Sequence, residues 1–139
     1  MKMEMDAGNS GFFANAKKLT RVVDEELAKT AENVGQSFFS TAKAKTPIDR
    51  DGDHPGKLRR GWKIKVKRLG RHGRVAELTN PVEYMNYVEY GHRLIKNGKV
   101  YAYVKGKHFM KRVRKTVTRE KLPDEYSKMY ERIYGRMEK

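Results

Sequence analysis

The residues able to carry chemistry in this 139-residue chain are four histidines, a run of aspartates and a dense set of cations. His54, His72, His92 and His108 are never two or four apart, so no pair shares a strand or helix face as metal ligands do. Asp49, Asp51 and Asp53 alternate around Gly52, but the glycine is out of place for a calcium loop and no bidentate glutamate follows at the twelfth position. The chain contains no cysteine, which excludes thiolate metal sites, disulfides and a cysteine nucleophile. Serine and threonine stand in no nucleophile motif. A small ribonuclease-type toxin could use His92 or His108 as general acid or base and Arg93 or Arg112 on the phosphorane, but no acid–base pair is fixed by the spacing. The expectation is a protein without catalytic residues, metal or cofactor.

The cations carry the stronger signal. A net charge of +15 attracts DNA, RNA or an acidic protein surface. Lys63, Lys65 and Lys67 alternate with Ile64 and Val66, which gives a strand with one buried face and one basic face. Arg59 and Arg60 lie between Leu58 and Trp62, so a loop anchored by the two apolar residues can present guanidiniums to a carboxylate or phosphate. Glu89 is placed to meet an arginine across a subunit boundary, or to cap or pair within its own chain. A non-catalytic nucleic-acid-binding module is the alternative, with the lysine row tracking phosphates and Tyr84, Tyr87, Tyr101 and Tyr103 offering stacking surfaces. No recognised nucleic-acid-binding signature accompanies them.

Composition bounds the elements that must position these groups. With 37% apolar and 35% charged residues, the chain has room for a single domain over residues 1–139 with one core. No run of about 18 apolar residues could span a membrane, and Met1 to Phe13, with Glu4 and Asp6, lacks the apolar stretch of a secretory signal. Phe12, Ala16, Leu19, Val23, Leu27, Ala31, Val34, Phe38 and Ala42 step by three or four, predicting a helix over 11–45 that either continues through Gly35 or breaks there. Its apolar stripe is longer than one small domain can cover. Thr46-Pro47 ends it, and residues 46–61 are rich enough in Asp, Gly and Pro to predict a long exposed loop.

Over 62–105 a sheet of about four antiparallel strands is expected. Trp62 to Lys67 and Arg74 to Thr79 form one hairpin, and Asn97-Gly98 turns a second between Arg93–Ile95 and Lys99–Val104. Between them Asn80-Pro81 breaks the chain and Val82 to Tyr90 forms a short helix, stopped by Gly91 in a left-handed C-terminal position. Over 108–137 two helices follow, one on Phe109, Met110, Val113 and Val117, the other starting near Pro123. The fold class is α+β.

Two segments in this order resemble the gene-product-ten-like tail-component family of tailed bacteriophages. Its members tend to show "T-P-[VI]-D-T-G-x-L-R-x-S", matched here by Thr46-Pro47-Ile48-Asp49 and, after the inserted residues 51–55, by Gly56-Lys57-Leu58-Arg59-Arg60-Gly61. A later "Y-A-x-x-V-E-[FY]-G-T" is matched by Tyr84 to His92, with Met85 in place of Ala and His92 in place of Thr. The family's following "P-x-P-F-[LM]" or "G-x-x-[FM]" corresponds to Gly106-Lys107-His108-Phe109-Met110. Pro47, Leu58, Trp62, Tyr87, Gly91 and Phe109 are thereby identified as structural motif positions. The resemblance implies a tail-completion or head-tail joining subunit of the phage neck, part of a homo-oligomeric ring of six-fold symmetry, with no catalytic residues to carry over. Its implied partners are further copies and other neck, connector or tail-tube proteins, with DNA in the ring lumen and no membrane. Its implied location is the virion, after synthesis in the host cytoplasm.

Overall fold

A computed structural model describes residues 6–50 and 52–139; Glu4 and Asp51 lie outside the described residues. Helix α1 runs from Asp6 to Lys45 without a break. Gly35 does not interrupt it, and serves instead as a packing site: a Cβ there would lie 3.3 Å from the Ala76 Cβ and 3.4 Å from the Ile64 Cγ1. The missing side chain lets the first hairpin approach the helix. At the far end the Thr46 N–H still donates to the Ala42 carbonyl, 2.9 Å away, after which Pro47 forbids another turn.

The chain continues as α2 (Lys57–Arg60), β1 (Lys63–Leu69), β2 (Gly73–Thr79), α3 (Met85–Tyr90), β3 (Gly91–Lys96), β4 (Lys99–Lys105), α4 (Phe109–Thr116), a π-helical turn (Val117–Lys121) and α5 (Leu122–Met137). This is the α+β architecture the periodicities predict. The four strands, however, make two separate two-stranded antiparallel sheets, β1–β2 and β3–β4, and not one sheet. Their packing differs. The first hairpin lies along α1 with Ile64 and Val66 half-buried and Lys63, Lys65 and Lys67 in water. The second stands off as an arm that meets the rest of the fold through α3 at its base. Ile95, Tyr101 and Tyr103 on it are 60%, 64% and 76% exposed. Asn97 and Gly98 both take positive φ, as the two-residue turn that joins β3 to β4 requires.

The expected pair of C-terminal helices is one continuous rod. Pro123 has no N–H to give, so the α-helical ladder must fail nearby. A π turn absorbs the fault, with the Leu122 N–H reaching back to the Val117 carbonyl, the usual form of a one-turn bulge inside a helix.

The core lies at the C-terminal end of α1. Ala42, Leu58, Trp62, Phe109, Val113 and Val117 are buried together, and the Trp62 and Phe109 rings meet edge to face at 6.4 Å. Burying side chains of this size is worth about 1.5–3 kcal/mol each. The N-terminal half of α1 is organised differently. Its buried line is Val22, Glu26 and Thr30, facing α5, whereas Phe12, Leu19 and Val23 of the apolar stripe are 66%, 43% and 36% exposed.

Candidate functional site

Between α1 and β1, Ile48, Asp49, Arg50, Asp53, His54 and Pro55 are exposed, while the two ends of the segment are tied to the rest of the fold. Thr46 and Leu58 are buried, and the segment forms a latch on the end of α1. Trp62 Nε1 donates to Thr46 Oγ1 at 2.7 Å, and that hydroxyl donates in turn to the Ala42 carbonyl. Asn80 Nδ2 donates to the Leu58 carbonyl at 2.8 Å, while its Oδ1 accepts the Val82 N–H at 3.1 Å. Gly56 begins α2 at φ 77, a conformation open to glycine at little cost. Thr46, Leu58 and Trp62 are thus buried together at the end of α1.

Arg59 belongs to the same latch. Its Nη2 donates to the Thr46 carbonyl at 3.0 Å, where a cation also suits the negative end of the α1 dipole. It does not stand out as a free guanidinium, as the sequence reading expected. Its Nε is buried without a hydrogen-bond partner. Arg60 is exposed and donates to the Pro55 carbonyl at 3.0 Å. On β1, Lys67 pairs with Glu77 at 2.6 Å, and that hydrogen bond holds the Glu77 carboxyl below its ordinary range. Lys63 and Lys65 keep to the solvent face.

Of the two roles open to Glu89, the structure shows the cap within its own chain. The residue is buried, 5% exposed, and accepts the Met110 N–H at 2.9 Å through Oε2 and the Lys111 N–H at 3.3 Å through Oε1. These are free donors of the first turn of α4, so the carboxylate caps that helix from a distant element and offsets its dipole. Both of its oxygens are engaged within its own chain. Two residues on, Gly91 has φ 85 and ψ 173. That positive φ is extended, not the left-handed helical stop expected of it. The cause is a chain crossing: a Cβ on Gly91 would run into the Val104 carbonyl oxygen and sit 2.7 Å from the Gly106 nitrogen, and one on Gly106 would meet Glu89 and Tyr90 in return. Phe109, fully buried, and Tyr87, 57% exposed, flank this crossing. Gly106 was visible in the sequence only as one glycine of a motif.

Helices α1 and α5 are joined by a cluster that the apolar periodicity missed. Arg132 Nε donates to Glu26 Oε2 at 2.6 Å and its Nη2 to Thr30 Oγ1 at 2.9 Å. Arg136 reaches Glu26 Oε1 at 3.1 Å and also pairs with Glu25. The Arg132 hydrogen bond, against the opposing effect of burial, keeps the Glu26 carboxyl below its ordinary pKa. A polar pair four apart on α1 (26, 30) matching an arginine pair four apart on α5 (132, 136) was the available signal.

The histidines do not converge on one centre. His54 faces the groove beside Pro47 and Tyr84, His72 lies at the β1–β2 turn, and His92 and His108 line the base of the arm with Tyr87, Arg93 and Lys105. His92 rests against the Tyr87 ring at 5.4 Å. Among the described residues no group of three or more His, Asp or Glu is placed to hold a metal ion, and no helix is long and apolar enough to cross a membrane.

Large surfaces are left open. Phe12 and Phe13 meet edge to face at 5.6 Å while remaining exposed. Beside them a groove of about 450 Å³ runs between α1 and the Arg68, Arg71 and His72 turn. An α+β protein with its core confined to one end of a long helix, and with apolar and aromatic faces uncovered, displays surface and not an enclosed cleft. The chain belongs to the family described as "Bacteriophage HK97-gp10, putative tail-component", which matches residues 11–91, more than half its length. It is therefore of a bacteriophage tail-component family. The match takes in the latch and the segment from Tyr84 to Gly91, and ends before the arm and the C-terminal rod. Comparison with curated proteins and with solved structures finds no match.

Proposed function

We propose that the protein is a structural subunit of the phage neck or head-proximal tail end, a tail-completion or head-tail joining protein that closes into a ring with copies of itself. The observation that carries this reading is the uncovered apolar face of the N-terminal half of α1, where Phe12, Phe13 and Leu19 are 66%, 60% and 43% exposed. Contiguous exposed apolar residues on one helix mark an interaction surface. A head-to-tail contact between such a face and a different surface of the next copy generates a closed ring when the rotation closes, here by analogy a hexamer. Neck, connector and tail-tube proteins are the proposed further partners, and the virion the proposed location.

Phe12→Ser with Leu19→Ser tests it. Neither residue is in the core, so the double variant is expected to keep the wild-type circular dichroism and thermal midpoint while losing assembly. Particles should lack the protein and fail to join heads to tails. Joined, infectious particles that carry the double variant would exclude this face, and absence of the wild-type protein from finished particles of its own phage would exclude the role.

A further inference from the structure

Between Tyr90 and Arg119 the chain carries ten lysines and arginines and not one aspartate or glutamate. The stretch begins where the family match ends, and it forms the β3–β4 arm, α4 and the start of the π turn. Elsewhere among the described residues six cations are answered, Arg68 and Arg74 by Asp24, Lys67 by Glu77, Lys128 by Asp124, Arg132 and Arg136 by Glu26. No ion pair among the described residues uses a cation of the acid-free stretch. Lys111, Arg114, Lys115 and Arg119, with Thr118, line a shallow hollow of about 300 Å³ along the rod. On the arm, Arg93 stands opposite Tyr103 in the ladder, which places both on one face together with Lys105, two residues on. The two regions meet where Glu89 caps α4.

We infer that the arm and the α4 rod form a DNA-contacting surface, whose cations take phosphates of a duplex and whose Tyr103 hydroxyl adds a further phosphate donor. Six of the ten cations are lysine, a residue depleted from the cores of protein–protein interfaces. Mobile point charges suit a phosphate track instead. Cations three and four apart on a helix stand about 5–6 Å from one another, and a duplex carries a charge every ~1.7 Å of its axis, so each finds its own phosphate. The choice of DNA as the polyanion rests on the proposed place at the tail end; the surface itself does not.

The test is fluorescence anisotropy of the full chain with a labelled duplex of about 30 base pairs, titrated from about 50 to 200 mM salt. Affinity is expected to fall steeply with salt. Lys111→Gln with Arg114→Gln and Lys115→Gln should weaken binding by about 10-fold or more at low salt and reduce the log–log salt slope by roughly 2.7, at about 0.9 per phosphate contact. The charge-matched control is Lys29→Gln with Lys45→Gln and Lys57→Gln, three exposed positions, and it should keep the wild-type slope. Equal loss in both triple variants would reduce the effect to bulk charge and overturn the assignment, as would no duplex binding at low salt. Polyglutamate displacing the duplex at equal charge would assign the surface to an acidic protein, and tighter binding of single-stranded DNA would overturn the duplex. Because the measurement reads free chain, loss of DNA binding with particle assembly intact sinks this inference alone, and failed assembly with binding intact sinks the ring alone.

Discussion

At Glu89 and Gly91 the chain shows how one short segment fixes the meeting of three elements. The buried carboxylate supplies acceptors to the first turn of α4, and no nearer residue does so, since His108 at the cap position makes no side-chain bond. Glu89→Ala leaves two N–H groups without their acceptors in a partly buried setting and is expected to cost about 1–2 kcal/mol, read as a lower urea midpoint at unchanged slope. An unchanged midpoint would mean that water replaces the cap. Gly91→Val should be more damaging, above about 1 kcal/mol from backbone strain alone, with the clash against Val104 and Gly106 added. His92→Ala, next door, should stay within about 1 kcal/mol of wild type and leave particle assembly intact, because the imidazole makes a ring contact and no catalytic pair. Loss of assembly in a folded His92→Ala protein would give that histidine a role it lacks here.

Among the elements, α1 decides most of the architecture, and it does so with two different faces along its length. Its C-terminal half buries Ala42 and half-buries Phe38 against the core, while its N-terminal half turns Val22, Glu26 and Thr30 toward α5 and leaves Phe12 and Leu19 outside. Gly35 marks the middle, where β1–β2 comes close enough that a Cβ would touch Ala76 and Ile64. Gly35→Leu should therefore cost about 1–3 kcal/mol through overpacking, despite the better helix propensity of leucine. Circular dichroism with chemical denaturation would show it, and a stabilised Gly35→Leu protein would mean that the hairpin is free to move off the helix.

For the molecule as a whole, the α1–α5 contact makes stability depend on acid. Glu26 is held below its ordinary pKa of 4.5, chiefly by the Arg132 hydrogen bond. A carboxylate with a depressed folded pKa binds protons more readily when unfolded, so its contribution is fully present above about pH 4.5 and is lost as pH falls through the folded value. The wild-type thermal midpoint is expected to drop below that pH. Glu26→Gln should be less stable at neutral pH, by about 2 kcal/mol, since Arg132 loses its counter-ion at a partly buried site and Arg136 keeps only Glu25. Its midpoint should also change less on acidification. Parallel acid profiles for the two proteins would place the acid sensitivity elsewhere.

What the sequence determined by itself was local: the α1 periodicity, the alternation of Ile64 and Val66 with lysines, the Asn97-Gly98 turn and the order of the family motifs each depend on neighbours a few residues away. Composition alone also determined the surplus of positive charge. Only the tertiary structure decided that Glu89 faces inward, that Arg59 closes the end of α1, and that Gly91 and Gly106 cross. Each of these joins residues 13 to 22 positions apart, and nothing in a local pattern distinguishes a buried partner from an exposed one. It also decided that the two hairpins stay apart, because strand periodicity specifies which face is apolar and not which edge is paired. The same holds for the acid-free stretch between Tyr90 and Arg119. Its charges can be counted in the sequence, but that no carboxylate among the described residues pairs with them is settled only by the tertiary structure.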